Sequence, residues 1–368
     1  MRFHTLKGIF AFTAMSFVQA ALMLACVSSS HPREGGPPSV RQESGRVTKI
    51  SNLPATDSWH RVQFVNLNDC FLSMAKGLWR SIDGGKNWEM VHRVTDYWET
   101  ITKVYFLDTK FGWMETHNGW FKSEDGGQTW TPFETPLSSS GSFRDVKFIS
   151  RDTGWIGGAA LRVPSPKELK LGVPRHLLDD ITGKVLTPII YRTDDGGKTW
   201  RVQNIPANLG DVKDIDFIDS DHGIALDGPE AFHTRDGGKT WLKVNDPQTC
   251  DGNGEEGGYE GKPYWAYLFD SSSQWLAFDD GRILRTTDGW RTSVELQPCD
   301  QNRPTVLHFS SQNRGHGLGS DKFLYETSDG GKQWIRVGTD KYDSLSFLDN
   351  QGAWLVSERG LFRLNIGG

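Results

Sequence analysis

The sequence lacks the patterns that most enzymes and nucleic-acid-binding proteins need. Its 10 histidines never fall in a His-Glu-x-x-His pattern or beside paired cysteines, so no zinc site is indicated. It contains no Gly-x-Ser-x-Gly elbow and no Gly-x-x-x-x-Gly-Lys-Ser/Thr phosphate loop. The formal net charge of −5 gives no basic field to attract nucleic acid or anionic lipid. We therefore expect no metal, no cofactor and no nucleic-acid partner.

Long apolar runs are also missing, except at the N-terminus. Arg2 and Lys7 precede an almost wholly apolar run that ends in Leu-Met-Leu-Ala before Cys26. This arrangement predicts an export signal over residues 1–25. The residues before Cys26 resemble a bacterial lipoprotein signal, which implies a lipid anchor on Cys26 at the outer membrane, facing the periplasm. An ordinary secretory signal is the alternative, and it would leave a secreted or soluble periplasmic protein. Residues 26–46, rich in Ser, Pro and Gly, are predicted to form a flexible tether.

By contrast, tryptophan and glycine are abundant, with 15 and 41 residues. Five copies of a Ser/Thr-x-Asp-Gly-Gly-x-x-Trp motif contribute to both totals. They occupy residues 81–88, 123–130, 193–200, 234–241 and 327–334, and a degenerate sixth copy occupies 286–290. The motif resembles the Asp box of sialidases and other bacterial propellers, and its repetition makes it the main guide to the fold.

A phenylalanine at the end of a short apolar strand precedes each box, and a Gly-Trp pair often follows it. The seven phenylalanines are Phe64, Phe106, Phe148, Phe217, Phe269, Phe309 and Phe347. Away from insertions they recur about every 42 residues, which is typical of a four-stranded propeller blade. One such sheet is not stable alone, so the units must stack radially. The predicted fold class is all-β, a seven-bladed β-propeller of four-stranded antiparallel blades over residues 47–368.

The two ends of the propeller sequence complement each other. The last unit stops after three strands, at Gly368. Residues 48–55 align without gaps with residues 200–207, which form the fourth strand of the third unit. We therefore expect the N-terminal strand to complete the last blade, which would close the ring and remove two exposed sheet edges.

The motif carboxylates are predicted to be structural. Each Asp can accept hydrogen bonds from backbone N–H groups of its own turn, between the third and fourth strands. Copies in successive blades point to separate turns, so they cannot form a carboxylate pair that flanks one glycosidic bond. The six residues with this predicted role are Asp83, Asp125, Asp195, Asp236, Asp288 and Asp329.

The longest loops fall on one face of the predicted ring. In a blade, the turn from the second to the third strand and the crossing to the next blade share a face, here called the top face. An insertion between Gly158 and Ile189 and the crossing that contains the acidic residues 251–260 both belong to it. Long loops on a rigid scaffold commonly carry function, so we expect the binding site on the top face.

Cys250 and Cys299 lie in successive crossings of the top face, one blade apart. Export places them in an oxidising compartment, where disulfides persist. We predict a Cys250–Cys299 disulfide, with Cys70 unpaired and mostly buried because its turn lies on the opposite face. Three unpaired thiols are the alternative.

Candidate residues at the centre of the top face follow from strand register. Side chains alternate along a strand, so the fourth residue before each Phe is expected at an equivalent place. The positions are His60, Thr102, Arg144, Lys213, Trp265, Thr305 and Asp343. We take His60, Arg144, Lys213, Trp265 and Asp343 as the candidate binding residues. The set contains no carboxylate pair, which argues against hydrolysis.

The spacing of the repeat resembles that of the photosystem II stability and assembly factor family and its non-photosynthetic bacterial relatives. The shared marks are Phe-Leu-Asp-x-x-x-Gly-Trp at 106–113, Phe-Ile-Ser-x-x-x-Gly-Trp at 148–155, and Asp-Gly-Gly-Lys-Thr-Trp at 195–200 and 236–241. The resemblance covers residues 48–365 and implies an exported, often lipid-anchored propeller. These residues serve packing and turns, so they indicate the fold more than the function.

The function expected from these features is that of an exported, non-enzymatic binding or assembly scaffold of the cell envelope. Its partner would be a protein or a polysaccharide, bound at the top face of a monomeric propeller. Two alternatives remain open, a sialidase-like glycoside hydrolase or lyase and a carbohydrate-binding module. Clustered carboxylates at the centre of the top face would favour the enzyme, and exposed aromatic rings without paired acids would favour sugar binding.

Overall fold

The computed structural model describes residues 47–54, 61–74, 76–136, 141–166, 170, 183–206, 209–245, 261–279, 282–296, 304–348 and 352–365. All of these belong to one of the two compact units of the chain, Ser39–Gly368. The other unit, Met1–Pro38, lies outside the described residues, and so do the predicted signal, the tether, Cys26, Cys250 and Cys299. Export, anchoring and the disulfide therefore stay predictions.

The described residues form seven four-stranded antiparallel sheets arranged as the blades of a propeller, which confirms the predicted fold class. In chain order the strands are β1 (Val47–Ser51), β2 (Arg61–Phe64), β3 (Cys70–Met74), β4 (Gly77–Ser81), β5 (Glu89–Arg93), β6 (Ile101–Phe106), β7 (Gly112–Thr116), β8 (Gly119–Ser123), β9 (Thr131–Pro132), β10 (Gly141–Phe148), β11 (Gly154–Arg162), β12 (Val185–Thr193), β13 (Arg201–Val202), β14 (Asp214–Phe217), β15 (Gly223–Leu226), β16 (Ala231–Thr234), β17 (Leu242–Lys243), β18 (Pro263–Leu268), β19 (Gln274–Phe278), β20 (Ile283–Thr286), β21 (Val294–Glu295), β22 (Pro304–Phe309), β23 (Gly315–Gly319), β24 (Phe323–Thr327), β25 (Ile335–Lys341), β26 (Ser344–Leu348), β27 (Gly352–Ser357) and β28 (Gly360–Leu364). Blades 1 to 6 take four consecutive strands each, from β2 to β25.

Blade 7 is completed by the N-terminal strand, as the sequence predicts. Its order is β1-β28-β27-β26, and β1 pairs antiparallel with β28 through Val47 opposite Leu364 and Lys49 opposite Phe362. Val47 packs against the apolar interior of this blade, and Ile50 and Leu53 pack against the apolar cluster of blades 7 and 1. The closing strand therefore joins the two ends of the ring by both backbone pairing and apolar burial.

The first strand of each blade lies innermost, where first strands of neighbouring blades contact each other. In five blades the repeated Phe of this strand stacks on an aromatic ring of the second strand of the preceding blade. The stacked pairs are Phe64–Trp354, Phe106–Phe71, Phe148–Trp113, Phe217–Trp155 and Phe309–Trp275, with centroids 3.5–4.2 Å apart. A Cβ at Gly112 would lie 2.5 Å from the Phe106 ring, which explains the Gly of the Gly-Trp mark.

Blade 5 departs from this rule by one residue. Leu268 is opposite Gln274 and is 7% exposed, so it occupies the place that Phe takes in the other blades. We call this place, at the end of the first strand of each blade, the packing position. Phe269 follows the strand and is 37% exposed. The sequence assignment of Phe269 to the packing position was therefore wrong. Leucine supplies the apolar bulk there, and the adjacent aromatic residue obscured it.

The Asp boxes form the turns between the third and fourth strands. Asp125 accepts hydrogen bonds from the backbone N–H groups of Gln128 and Thr129, both at 3.0 Å. The Gly126 N–H donates to the Lys110 carbonyl at 2.9 Å, so the box is bonded to the first turn of its own blade. The same bond to the first turn recurs in the other boxes, which places both kinds of turn on one face, opposite the top face.

All six motif carboxylates accept a hydrogen bond, at 2.8–2.9 Å, from the Ser or Thr hydroxyl that opens their box. Hydrogen bonds from the residue four positions later lower the pKa of Asp83, Asp195 and Asp288 to about 2. A carboxylate held ionised by the donors of its own turn is suited to shaping that turn, and the structural role of the six carboxylates stays a prediction.

Candidate functional site

A girdle of contacts joins the inner strands below the centre of the top face. In six of the seven blades it is formed by the residue directly before the packing position, whose side chain reaches the next blade. These contacts are Gln63 with the Phe106 backbone, Tyr105 with the Phe148 carbonyl, Lys147 with Asp216, Tyr267 with the Phe309 carbonyl, His308 with the Phe347 ring and Ser346 with the Phe64 N–H. The bonds run from blade to blade and hold the inner strands in fixed relative positions, which provides a rigid base for the site above.

In blades 2, 3, 5 and 6 the fourth residue before the packing position is a β-bulge, so strict alternation ends there. The register shifts around Thr102, Arg144, Tyr264 and Thr305 in the first strands of blades 2, 3, 5 and 6. Blade 4 shows a similar irregularity. The backbone N–H of Lys213 donates to the Leu226 carbonyl, although Leu226 is already paired with Asp214 in the strand register. Bulges redirect side chains and are frequent beside functional sites. The sequence argument assumed unbroken alternation at these positions and therefore missed the redirection.

The third residue before each packing position keeps the regular register and lies closer to the top face than the girdle. We call these seven positions the mouth ring: Arg61, Lys103, Asp145, Asp214, Trp265, Val306 and Ser344. Blades 1 to 4 contribute the four charged residues, and blades 5 to 7 contribute Trp265, Val306 and Ser344. Trp265 is 36% exposed. The mouth ring therefore has a charged half and a predominantly apolar half.

Lys103 connects three blades within the charged half. Its ammonium group contacts the carboxylate of Asp145 in blade 3 and lies 3.7 Å from that of Asp214 in blade 4. Asp145 is 3% exposed, and its second oxygen accepts a hydrogen bond of 3.1 Å from the Ile215 N–H. Both oxygens of this buried carboxylate are thus satisfied, as a buried charge requires.

The pKa values of Lys103, Asp214 and Glu115 are all raised at the mouth. Burial lowers the pKa of Lys103, but the carboxylates of Asp145 and Asp214 offset this and raise it overall. Burial and the neighbouring Asp145 raise the pKa of Asp214 well above its usual range. Burial also raises the pKa of Glu115, which accepts a 2.8 Å hydrogen bond from Thr102. The surroundings accordingly favour the charged form of Lys103 and the protonated forms of Asp214 and Glu115.

Arg144 and Lys213, two of the predicted binding residues, meet at one carboxylate. Asp211 accepts hydrogen bonds from Arg144 at 3.2 Å and from Lys213 at 2.7 Å, through the same oxygen. The Asp211 side chain is 5% exposed, while those of Arg144 and Lys213 are 40% and 51% exposed. The other oxygen of Asp211 is buried and accepts no hydrogen bond from the residues that the structure describes. A buried anchor therefore presents two cations to solvent beside the mouth ring.

The other predicted top-face positions, Asp343, His60 and Thr305, are not part of the contacts around Lys103 and Asp211 that the structure describes. Asp343 pairs with Lys322 at 2.8 Å, in the top-face turn of blade 6. His60 lies outside the described residues, and the side chain of Thr305 is likewise not described. Sequence reasoning missed Lys103, Asp145, Asp211 and Asp214. A usable signal was present, since charged residues alternate with apolar ones in strands that must line the centre of the ring.

Asp145 and Asp214 form a carboxylate pair at the mouth, which the candidate set derived from the sequence did not contain. Both lie against the same Lys103 nitrogen, so they act as counter-ions to this lysine, whereas the two carboxyl groups of a glycosidase flank the scissile bond. Among the described residues, no group of His, Cys, Asp and Glu is placed to hold a metal ion. No helix within those residues has the length and apolarity needed to cross a membrane.

Comparison with solved structures places this architecture among known propellers. A structure of YCF48 bound to a D1 peptide shares 17% identity with a TM-score of 0.57, over 87% of this chain and 96% of that chain. YCF48 from Cyanidioschyzon merolae shares 16% identity with a TM-score of 0.59, over 87% and 99%. The chain is similar in fold to YCF48, a photosystem II assembly factor.

An ancestral GH74 enzyme is also similar, at 10% identity and a TM-score of 0.57, over 86% of this chain and 45% of the enzyme. No protein-family model and no curated sequence matches the chain. The similarity to YCF48 and to the GH74 enzyme is therefore one of fold, and the function must be argued from the site itself.

Proposed function

We propose that this protein is an exported, non-enzymatic binding or assembly scaffold of the cell envelope, which takes a segment of a partner protein at the mouth ring. The observation that carries the proposal is the pair of exposed cations, Arg144 and Lys213, held on the buried Asp211 beside the ring. A cation fixed by a buried carboxylate loses less conformational entropy on binding than a mobile one. Trp265 offers an apolar contact in the same ring.

The chemistry of the mouth defines the segment that would fit. Arg144 and Lys213 would pair with a carboxylate, either an acidic side chain or a chain terminus. Trp265 and Val306 would contact an apolar side chain, since aromatic anchors dominate many protein interfaces. YCF48, which has the same fold, has been solved bound to a D1 peptide, and this supports a peptide ligand as a class.

The hydrolase alternative receives less support from the mouth. Asp145 is 3% exposed and already accepts from Lys103 and from the Ile215 N–H, so it is placed as a buried counter-ion rather than as a group open to a substrate. Fold similarity to a GH74 enzyme does not compensate for this, because one fold hosts many functions.

Site-specific photo-crosslinking in intact cells tests the proposal. A photoreactive residue at position 265 is expected to capture a defined partner segment, and the same residue at position 242, an exposed site on an outer strand, is expected not to. Capture at 265 should be lost in the Arg144→Gln/Lys213→Gln variant and kept in Lys243→Gln. Equal capture at positions 265 and 242, or capture at 265 that persists in the Arg144→Gln/Lys213→Gln variant, would contradict the proposal.

We also propose that the scaffold is anchored through Cys26, following an export signal over residues 1–25. Residues 26–46 would then act as the tether between lipid and propeller. The Cys26→Ser variant is expected to appear in the soluble fraction or to remain unprocessed. Unchanged membrane association of that variant would refute the anchor and leave the binding proposal standing.

A further inference from the structure

Two aromatic rings stand exposed on the top face, in the crossing from blade 1 to blade 2. Tyr97 is 56% exposed and Trp98 is 50% exposed. They begin a one-turn 3-10 helix, Tyr97–Glu99. The Asn118 N–H, in the top-face turn of blade 2, donates to the Trp98 carbonyl at 3.1 Å. The proposed mouth-ring ligand does not account for these aromatic rings, because neither residue belongs to the mouth ring and their ring contacts within the described residues are with each other and with His117.

The loop that carries the rings is rigidly held. Asp96 caps the turn by accepting hydrogen bonds from the N–H groups of Trp98 at 2.8 Å and Glu99 at 3.1 Å. Glu99 in turn accepts hydrogen bonds from the N–H and the hydroxyl of Thr95, at 3.0 and 2.6 Å. Side chains that are exposed on a fixed backbone lose little entropy when a ligand covers them. This arrangement suits a preorganised binding surface.

The rings form a corner. Tyr97 and Trp98 are nearly perpendicular, at 77° with centroids 5.5 Å apart. His117 covers one face of Tyr97, with ring centroids 4.5 Å apart at 25°, and its Nδ1 hydrogen-bonds to the Tyr97 carbonyl. Trp98 meets Tyr97 and His117 at steep angles, 77° and 85°, so no ring among the described residues stacks face to face on it.

The size and border of the corner favour a small, polar ligand. Aromatic side chains bury about 150–250 Å² each when covered, so two half-exposed rings offer roughly 200 Å². A stable protein interface needs about 800 Å² on each partner. Asp96 and Asn118 are exposed beside the rings, and the Asn118 amide makes no hydrogen bond within the described part of the chain. A flat apolar surface bordered by spare hydrogen-bonding groups matches a sugar ring.

The carboxylates beside the two rings indicate whether a bound sugar would be neutral or charged. Hydrogen bonds from the Thr95 hydroxyl and N–H lower the pKa of Glu99, so this carboxylate stays ionised at neutral pH. Asp96 adds a second carboxylate beside the rings. Like charges repel, so uronic and sialic acids are disfavoured at this place.

We propose that the Tyr97–Trp98 corner is a binding site for a neutral saccharide, with the Trp98 ring against the C–H face of a pyranose and Asp96 and Asn118 hydrogen-bonding its hydroxyl groups. The site is separate from the mouth ring and stands independently of the function proposed there. Together the two sites would allow the scaffold to hold an envelope glycan and a protein segment on one face.

Affinity gel electrophoresis of the full-length protein tests the site. The gels contain soluble β-glucan, xylan, galactomannan or glycol chitin, with an uronic-acid polymer as the charged comparison. Retardation is expected in at least one neutral polysaccharide, and calorimetry with the matching hexasaccharide gives the affinity. Trp98→Ala is expected to weaken binding at least tenfold and Trp98→Phe to restore part of it. Phe269→Ala, which removes a 37%-exposed ring from the opposite face, should change the affinity less than twofold.

Three results would overturn the proposal. The first is no retardation of the wild type by any of the neutral polysaccharides. The second is sugar binding that survives Trp98→Ala, or that depends instead on Trp265 in the mouth ring. The third is that photo-crosslinkers at position 98 capture a protein while the sugars fail to compete with it, because the corner would then be a protein contact. The Arg144→Gln/Lys213→Gln variant should keep its sugar affinity, which separates this test from that of the mouth ring.

Discussion

The Lys103 ammonium in blade 2 lies 3.7 Å from the Asp214 carboxylate in blade 4, across the intervening blade 3. Asp145 of blade 3 contacts the same Lys103 nitrogen directly. Non-adjacent blades are therefore connected at the centre of the ring by side chains rather than by backbone. Beside this connection, Asp211 holds the cations Arg144 and Lys213.

Removing the lysine should destabilise the propeller. Lys103→Met leaves Asp145, which is 3% exposed, without its cation but with its hydrogen bond from the Ile215 N–H, and a buried group that loses one partner costs about 1–3 kcal/mol. Chemical denaturation measures the loss. Lys243→Met is the matched control, because Lys243 and its partner Glu230 are 52% and 27% exposed and such a pair contributes about 0–1 kcal/mol. Equal losses of unfolding free energy in Lys103→Met and Lys243→Met would show that the contacts of Lys103 with blades 3 and 4 do not add to stability.

The raised pKa of Asp214 predicts a pH-dependent effect of its amide variant. Burial and Asp145 raise this pKa above the unfolded value, so the folded state holds the proton more tightly than the unfolded chain. As pH rises from about 4 towards the raised pKa, the unfolded state ionises first and folding stability falls. Asp214→Asn should therefore be more stable than the wild type at pH 7, and the difference should shrink as the pH falls towards 4. A stability difference between Asp214→Asn and the wild type that grows as the pH falls would contradict this prediction.

The closing strand should be required for a cooperative fold. A chain beginning at Asp57 lacks β1, which exposes the edge of β28 and uncovers the surface that Val47, Ile50 and Leu53 bury. Differential scanning calorimetry should show a lower and broader transition for this chain. The control chain begins at Val47 and should melt like the parent. A chain from Asp57 with the parent's transition would contradict the role of β1 in closure.

The cysteines should divide into a bridged pair and one inert thiol. Cys70 is 0% exposed, and burial raises its pKa to about 12. Its thiol should resist alkylation at pH 8 until the protein unfolds. Non-reducing peptide mapping should recover Cys250 and Cys299 in one linked fragment. Rapid labelling of Cys250 and Cys299 in the native protein would disprove the bridge, and a fragment that links Cys70 to either would disprove the assignment of faces.

The sequence predicts the ring well and its centre only in part, for a physical reason. The Asp boxes, the stacked phenylalanines and the match between residues 48–55 and 200–207 are local patterns that each blade must repeat. The mouth depends on where each inner strand bulges, and that is set by contacts between blades. Arg144 and Lys213 were identified from register, but Asp211, which holds them, precedes the strand and carries no repeat signal. Trp265 lies in the ring because Leu268, rather than Phe269, fills the packing position of blade 5.

The central claim is that cations fixed beside the mouth ring hold a partner segment. The most direct test is a titration of the segment captured at position 265, made as a synthetic peptide, against the purified propeller. The account predicts that Arg144→Gln/Lys213→Gln weakens the affinity at least tenfold, that added salt weakens wild-type binding, and that Lys243→Gln stays within twofold of the wild type. Equal affinity of the peptide for the wild type and the double variant would contradict the account.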